Sequence, residues 1–214
     1  IMGQKGISGR GFEVSYDPET QEYGVRVFTP STENDWLGAI DFIGKVATAL
    51  ATNVVDEEGE TYEPNAITYD YRHDISFGVR CYDDKEEGAY IFSVYRPICL
   101  SKQMINELLE AEDKVKAFSQ LVEKQLYEHP DVYIARQQFF SNDKEEVMGV
   151  YALTQGVPTV LPYKYPPFVD FTQVNLGQDD VKLWRISLVV INGDENDPNA
   201  YEVLDGLDYK TFLE

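Results

Sequence analysis

His73 and His129 are the chain's two histidines, which leaves few ways to build an imidazole-based metal site or triad. His73 stands in Tyr71-Arg72-His73-Asp74, and a histidine beside an aspartate serves as an oriented general base when a nucleophile approaches it. Neighbourhood in sequence is not catalytic geometry, so His73 is read as a solvated loop residue ahead of a strand. His129 follows a helix and complements its negative end. Cys81 and Cys99 belong to no CxxC pair or Cys/His cluster. They are read as buried free thiols, acting as small apolar residues.

Carboxylates are the abundant reactive group. General acid–base work needs two of them in unlike environments, one buried enough for its pKa to rise. The clusters Glu57-Glu58, Asp83-Asp84, Glu86-Glu87, Asp143 with Glu145-Glu146, and Asp194-Glu195 with Asp197 fall in expected turns, which are solvated, and read as loop solubility. Asn192 to Asn199 has the oxygen density of a calcium loop but lacks the central Gly and closing Glu of an EF-hand. Gly3, Gly6, Gly9 and Gly11 precede no GKS/T and no helix start, so they make no phosphate cradle. No catalytic residue, metal site or cofactor is expected.

The acids outnumber the bases 38 to 18, a formal net charge of -20 on 214 residues. A field of that sign repels nucleic-acid backbones, phosphorylated substrates and anionic lipid, and it attracts basic partners. Nucleic acid and membrane are therefore excluded as partners, and a basic protein is favoured. The 15 Tyr and 11 Phe separate the chain from disordered acidic segments, which are poor in aromatics, so the acidity overlies a folded body. The longest apolar stretch, Leu188 to Ile191, falls far short of the roughly 18 residues that cross a bilayer. With no apolar signal segment at the N-terminus, the expected location is the cytoplasm. Ile1 ahead of Met2 reads as a remnant or a fragment boundary, so that absence carries little weight.

The elements that must position these groups follow from periodicity. Residues 1 to 11 read as a flexible, Gly-rich lead-in. Phe12, Val14 and Tyr16, then Tyr23, Val25 and Val27, alternate on either side of a polar turn and predict a hairpin. Thr32 caps a helix with Glu33 and Asp35 in its first turn. Trp36, Ile40, Ile43, Ala47 and Leu50 form its apolar face, ending near Ala51. Short strands are expected around Glu57-Glu58-Gly59. Ile75, Phe77, Val79 and Cys81 alternate as a strand, Asp83 to Gly88 turn, and Tyr90, Phe92 and Val94 pair with them. Ser101 caps a second long helix with the stripe Met104, Leu108, Ala111, Val115, Phe118 and Val122, stopped by His129-Pro130.

Tyr16-Asp17 through Val27-Phe28-Thr29-Pro30 parallels Tyr82-Asp83 through Val94-Tyr95-Arg96-Pro97, and reads as a tandem duplication of a hairpin-helix unit. A third hairpin joins Tyr133 to Phe140 with Val147 to Thr154. Val157 to Phe171, with four prolines among its aromatics, is an extended strap whose rings pack onto the sheet. Leu183 to Ile191 is a central strand, Tyr201 to Leu204 returns, and Asp208 to Leu213 makes a last helical turn. The fold class is α+β, mainly antiparallel with two principal helices, and a doubly wound nucleotide fold is excluded. One domain is expected over 12–214, with pseudo-repeats 12–66 and 67–156 and a C-terminal region 157–214.

The runs Gly11-Phe12-Glu13-Val14, Val25-Arg26-Val27-Phe28-Thr29-Pro30-Ser31, the Trp36 helix and Asp70-Tyr71-Arg72-His73-Asp74 resemble an uncharacterised bacterial family of unknown function. The resemblance spans most of the chain from Gly11 onward. It implies a bacterial cytosolic origin and a somewhat longer natural protein, and it carries over no site residues. The function expected from the residues is non-enzymatic binding of a basic partner, as in an immunity or inhibitor protein. Asp83, Asp84, Glu86, Glu87, Asp143, Glu145 and Glu146 would supply charge, and Tyr163, Tyr165 and Phe168 rigid contact area. The rival classes are a carboxylate-dependent hydrolase of neutral or cationic substrates and an accessory module of a longer protein.

Overall fold

A computed structural model describes residues 1–86, 88–128, 132–141, 146–169 and 175–214. The fold is α+β with mostly antiparallel strands, and the chain divides into two compact units, Ile1–Glu128 and His129–Glu214.

In the first unit, β1 (Phe12–Asp17) and β2 (Glu22–Val27) form the expected hairpin, in register from Phe12 opposite Val27 to Asp17 opposite Glu22. α1 (Glu33–Leu50) starts at Thr32, whose hydroxyl accepts from the Asp35 N–H, and stops at Ala51 in a left-handed conformation. β3 (Val54–Val55) and β4 (Thr61–Tyr62) pair around the Glu57-Glu58-Gly59 turn. These ends carry strong local signals, a capping box at one and turn chemistry at the other.

The next segment departs from expectation. Tyr71–Arg80 is a helix, α2, where alternation gives a strand at Ile75 to Cys81. Ile75 and Val79 are buried one turn apart, with Tyr71 packed beside them, while Phe77 is exposed. Alternation fits all four apolar residues, but the core took the helical spacing of Tyr71, Ile75 and Val79 and left Phe77 and Cys81 exposed. His73 therefore lies in a helical first turn rather than a loop, and Cys81 caps the helix in an exposed position. Cys99 is half-buried, and no disulfide joins the two.

The second hairpin is instead β5 (Ala89–Ile91) with β6 (Ile98–Leu100). The strand pair expected from Ile75–Cys81 and Tyr90–Val94 is thus absent, and the hairpin ahead of the next helix is formed by other residues. The single long helix is two, α3 (Lys102–Glu110) and α4 (Lys114–Tyr127). Ala111 is extended there, and the Asp113 carboxylate accepts from the Lys116 N–H as a fresh cap. An internal capping residue ended the first helix although the apolar stripe ran on. The stripe itself holds, since Leu108, Val115, Phe118 and Val122 join Ile75, Ile91, Ile98 and Ile105 in one core. His129 and Pro130, expected as the helix stop, lie outside the described residues.

In the second unit, β7 (Tyr133–Ile134), β8 (Gln138–Ser141), β9 (Val147–Thr154), β10 (Thr159–Val160), β11 (Val181–Ile191) and β12 (Tyr201–Asp208) precede α5 (Tyr209–Leu213). The main sheet has the order β12-β11-β9-β8, with β9 and β11 parallel and the other two pairings antiparallel. β11 is central, as its apolar run predicts. Its Trp184 is 1% exposed, stacks on Tyr151 at 5.6 Å and meets Phe139 edge-on at 5.9 Å.

The strap behaves in two ways. Pro167 and Val169 are buried and Phe168 half-buried, whereas Tyr163 and Tyr165 are exposed rather than packed on the sheet. Hydrogen bonds to backbone hold its course: Tyr209 Oη donates to the Pro162 carbonyl at 2.6 Å, and the Gln178 amide donates to Pro167 at 3.0 Å. With these two carbonyls tied, the strap keeps its course and turns two of its rings to solvent.

Candidate functional site

The lead-in read as flexible is bound into the first unit. The amides of Gly9, Arg10 and Gly11 turn together onto one carboxylate, that of Asp35, at 3.0, 2.9 and 2.8 Å. Thr32 adds its N–H at 3.1 Å and its hydroxyl at 2.8 Å. Consecutive N–H groups in such a concavity form an anion nest. The glycines thus do cradle an anion, and it is the chain's own. Gly11 needs its positive φ of 70°, and a Cβ on Gly9 would come within 2.5 Å of the Thr32 methyl.

Arg10 anchors the same turn, donating from Nε to the Phe92 carbonyl at 2.8 Å and from Nη1 to that of Pro30 at 2.7 Å, above the Phe28 ring. Burial lowers its pKa, and nearby Tyr82 and Asp35 act against that fall. Asp35 is 1% exposed and accepts five donors, so it has no lone pair turned to a substrate. A buried carboxylate in that state is structural.

An open cleft of about 770 Å³ lies beside the start of α2 and the start of α4. Arg72, Arg80, His73 and Lys114 line it together with Asp70, Glu112 and Asp113. Its geometry is that of helix termini held by ions. Arg72 Nη2 lies 3.0 and 2.9 Å from the two Asp113 oxygens, and its Nη1 lies 2.9 Å from Glu33. One guanidinium from α2 thereby joins the first residue of α1 to the cap of α4. Asp70 and Asp113 both serve as N-caps.

The His73-Asp74 pair is not a dyad. The Nδ1 to Oδ1 separation is 3.7 Å, too long for a hydrogen bond, and Asp74 accepts instead from Tyr69 Oη at 2.6 Å. Burial and then that bond raise the Tyr69 pKa, which keeps the phenol a donor.

The cap of α4 has a pH signature. Donation from the Lys116 N–H, opposed by desolvation and aided by Arg72, holds Asp113 below its ordinary value of 3.8. A folded pKa that is depressed contributes stability above the unfolded value and loses it as pH falls through the folded one. Asp113→Ala is therefore expected to melt below the wild type at neutral pH, with the gap closing below the carboxylate range. Melting curves of both proteins along a pH series check this. A gap that persists in acid would show that the charge has no part in it.

The residues singled out for partner contact are divided between the two units. Asp83, Asp84 and Glu86 are exposed in the turn after α2, in the first unit. Glu146, exposed at the start of β9, belongs to the second unit with Tyr163, Tyr165 and Phe168. Glu87, Asp143 and Glu145 lie outside the described residues. Among the described residues no three His, Cys, Asp or Glu gather as metal ligands, and no helix is long and apolar enough to cross a membrane.

Sequence reasoning passed over the β12 edge. Its residues Tyr201, Val203, Leu204 and Leu207 are all exposed, although the run reads as an ordinary returning strand. Only its position at the end of the sheet order distinguishes it.

The family model described as Domain of unknown function (DUF4299) matches residues 1–214, and the chain belongs to that family. No curated protein and no solved structure matches it.

Proposed function

We propose that this member of the DUF4299 family is a non-enzymatic domain that binds a basic protein. The observation that carries the reading is where the acids stand. Glu57 and Glu58, Asp83, Asp84 and Glu86, and Asp194, Glu195 and Asp197 are exposed on turns. The buried carboxylate, Asp35, is saturated by its own chain. Charges held outward in this way steer a cationic partner and accelerate docking. Hydrogen bonds from Asn196 keep Asp194 below its ordinary pKa and so ionised. A hydrolase would require two acids converging in a sheltered pocket. In the cleft of the first unit, Asp70 and Asp113 are occupied as caps instead.

In its concrete form the protein is an immunity or inhibitor type of binder working in a bacterial cytosol, covering the positive site of a toxin or nuclease. Affinity capture from lysate at low and at physiological salt tests this, with Asp83→Lys/Asp84→Lys/Glu86→Lys as the matched variant. The expected result is a basic protein recovered by the wild type, recovered less as salt rises, and lost by the variant. Recovery of no basic protein at either salt sinks the proposal.

A further inference from the structure

β12 ends the four-stranded sheet with its outer side unpaired among the described residues. The direction of its backbone groups follows from two hydrogen bonds. The Val189 carbonyl accepts the Gln155 N–H at 2.8 Å, on the β9 side of β11. The N–H and C=O of a strand residue point the same way, so Val189 turns away from β12 and its opposite, Val203, directs its own pair outward. At the strand's start, the Ala200 carbonyl accepts the Asn192 N–H at 2.7 Å, which gives the same alternation. Val203, 68% exposed, thus directs a donor and an acceptor to the side of β12 that no strand pairs among the described residues.

Edges are normally protected by lysine, proline or a cover. Tyr201–Asp208, of sequence YEVLDGLD, has no lysine or proline, no strand pairs with its outer side among the described residues, and its protection is three carboxylates and a bulge. The register shift between Ile186 and Leu188 and the close approach of Gly206 to the Ile186 carbonyl bend its far half, where Arg185 donates to the Gly206 carbonyl at 2.8 Å. The stretch open to pairing is the half from Tyr201 to Asp205.

Charge selects the occupant. β12 carries Glu202, Asp205 and Asp208 with no Lys or Arg, and the turn before it presents Asp194, Glu195 and Asp197. Glu202 accepts from the Asn192 amide at 2.7 Å and Asp208 from the Thr211 N–H at 3.1 Å, and both remain at the surface. A second copy of this edge would set carboxylates against carboxylates, which opposes pairing. We propose that β12 receives an extended basic segment of the partner as an added strand, Val203 supplying the central backbone bonds and the flanking acids meeting its lysines or arginines. Main-chain bonds give such a complex its affinity and side chains its selectivity. The inference rests on the basic-partner reading and adds the mode of docking to it.

The probes are two end-blocked peptides, one of alternating Val and Lys and one of alternating Val and Glu, added to the full chain with amide exchange followed by residue. Protection of the Val203 amide by the lysine peptide and not by the glutamate peptide is expected. Val203→Pro removes an outward donor without touching the ladder to β11, and weakens the lysine peptide by about tenfold. Glu202→Lys/Asp205→Lys, which leaves the backbone intact, reverses the preference between the peptides and decides the matter if the proline variant fails to fold. Exchange at Val203 unchanged by the lysine peptide overturns the inference. So does a wild-type dimer in sedimentation that Val203→Pro dissociates, since the occupant is then a second copy. If lysate capture fails while the peptide protects Val203, the edge stands and the cellular reading falls. If capture succeeds and Val203→Pro leaves it unchanged, the partner stands and the edge falls.

Discussion

Asp35→Ala is expected to destabilise the protein by about 3–5 kcal/mol, at the top of what one substitution does. The carboxylate is 1% exposed and serves four backbone amides and one hydroxyl. Each buried donor left without an acceptor costs about 1–3 kcal/mol, and entering water recovers part of the sum. Asp35→Asn fares little better, because the oxygen replaced by an amide nitrogen faced two or three donors. Denaturant melting gives the magnitude, and amide exchange gives the mechanism. Exchange should accelerate first at Gly9, Arg10, Gly11 and Thr32. A loss under about 1 kcal/mol, with those amides still protected, would mean that the nest closes without its anion.

Trp184→Ala is the second large effect, expected at about 3–5 kcal/mol. Trp184 is the largest fully buried side chain, and it packs among Tyr151, Phe139 and the bare backbone of Gly149. A Cβ on Gly149 would lie 2.5 Å from the indole ring. Gly149→Ala is therefore expected to cost about 1–3 kcal/mol by overpacking. The two changes touch one volume and must couple. In the Trp184→Ala background the added methyl enters the cavity, and its cost should vanish or change sign. A double-mutant cycle that proves additive would show that Gly149 is chosen for some reason other than room for the ring.

Much of this structure is legible before folding is considered, and the legible parts share a cause. The β1–β2 hairpin, the Thr32 cap and the end of α1 at Ala51 rest on signals within about four residues of each other, where turn chemistry, capping and periodicity act. The central place of β11 follows from its long apolar run. The acidity of the turns is legible as well, because charge is a property of composition.

The misread parts share a cause too. Ile75 to Cys81 alternates as a strand would, and the helix won because Ile75 and Val79, one turn apart, together fill the core beside Val115, Phe118 and Val122. The break at Asp113 is a local capping signal within a stripe that continues on both sides of it. Residues 1–11 contain glycines and little else to bury, and their order depends on a carboxylate 24 to 26 positions away.

Sequence alone determined the fold class, the first hairpin and helix, the central strand and the sign of the surface field, since these need only neighbours and composition. Tertiary structure decided which carboxylate is buried, that His73 and Asp74 stand apart, and which strand is left with an open edge. Those outcomes depend on groups brought together across long stretches of chain, and no local pattern encodes that meeting.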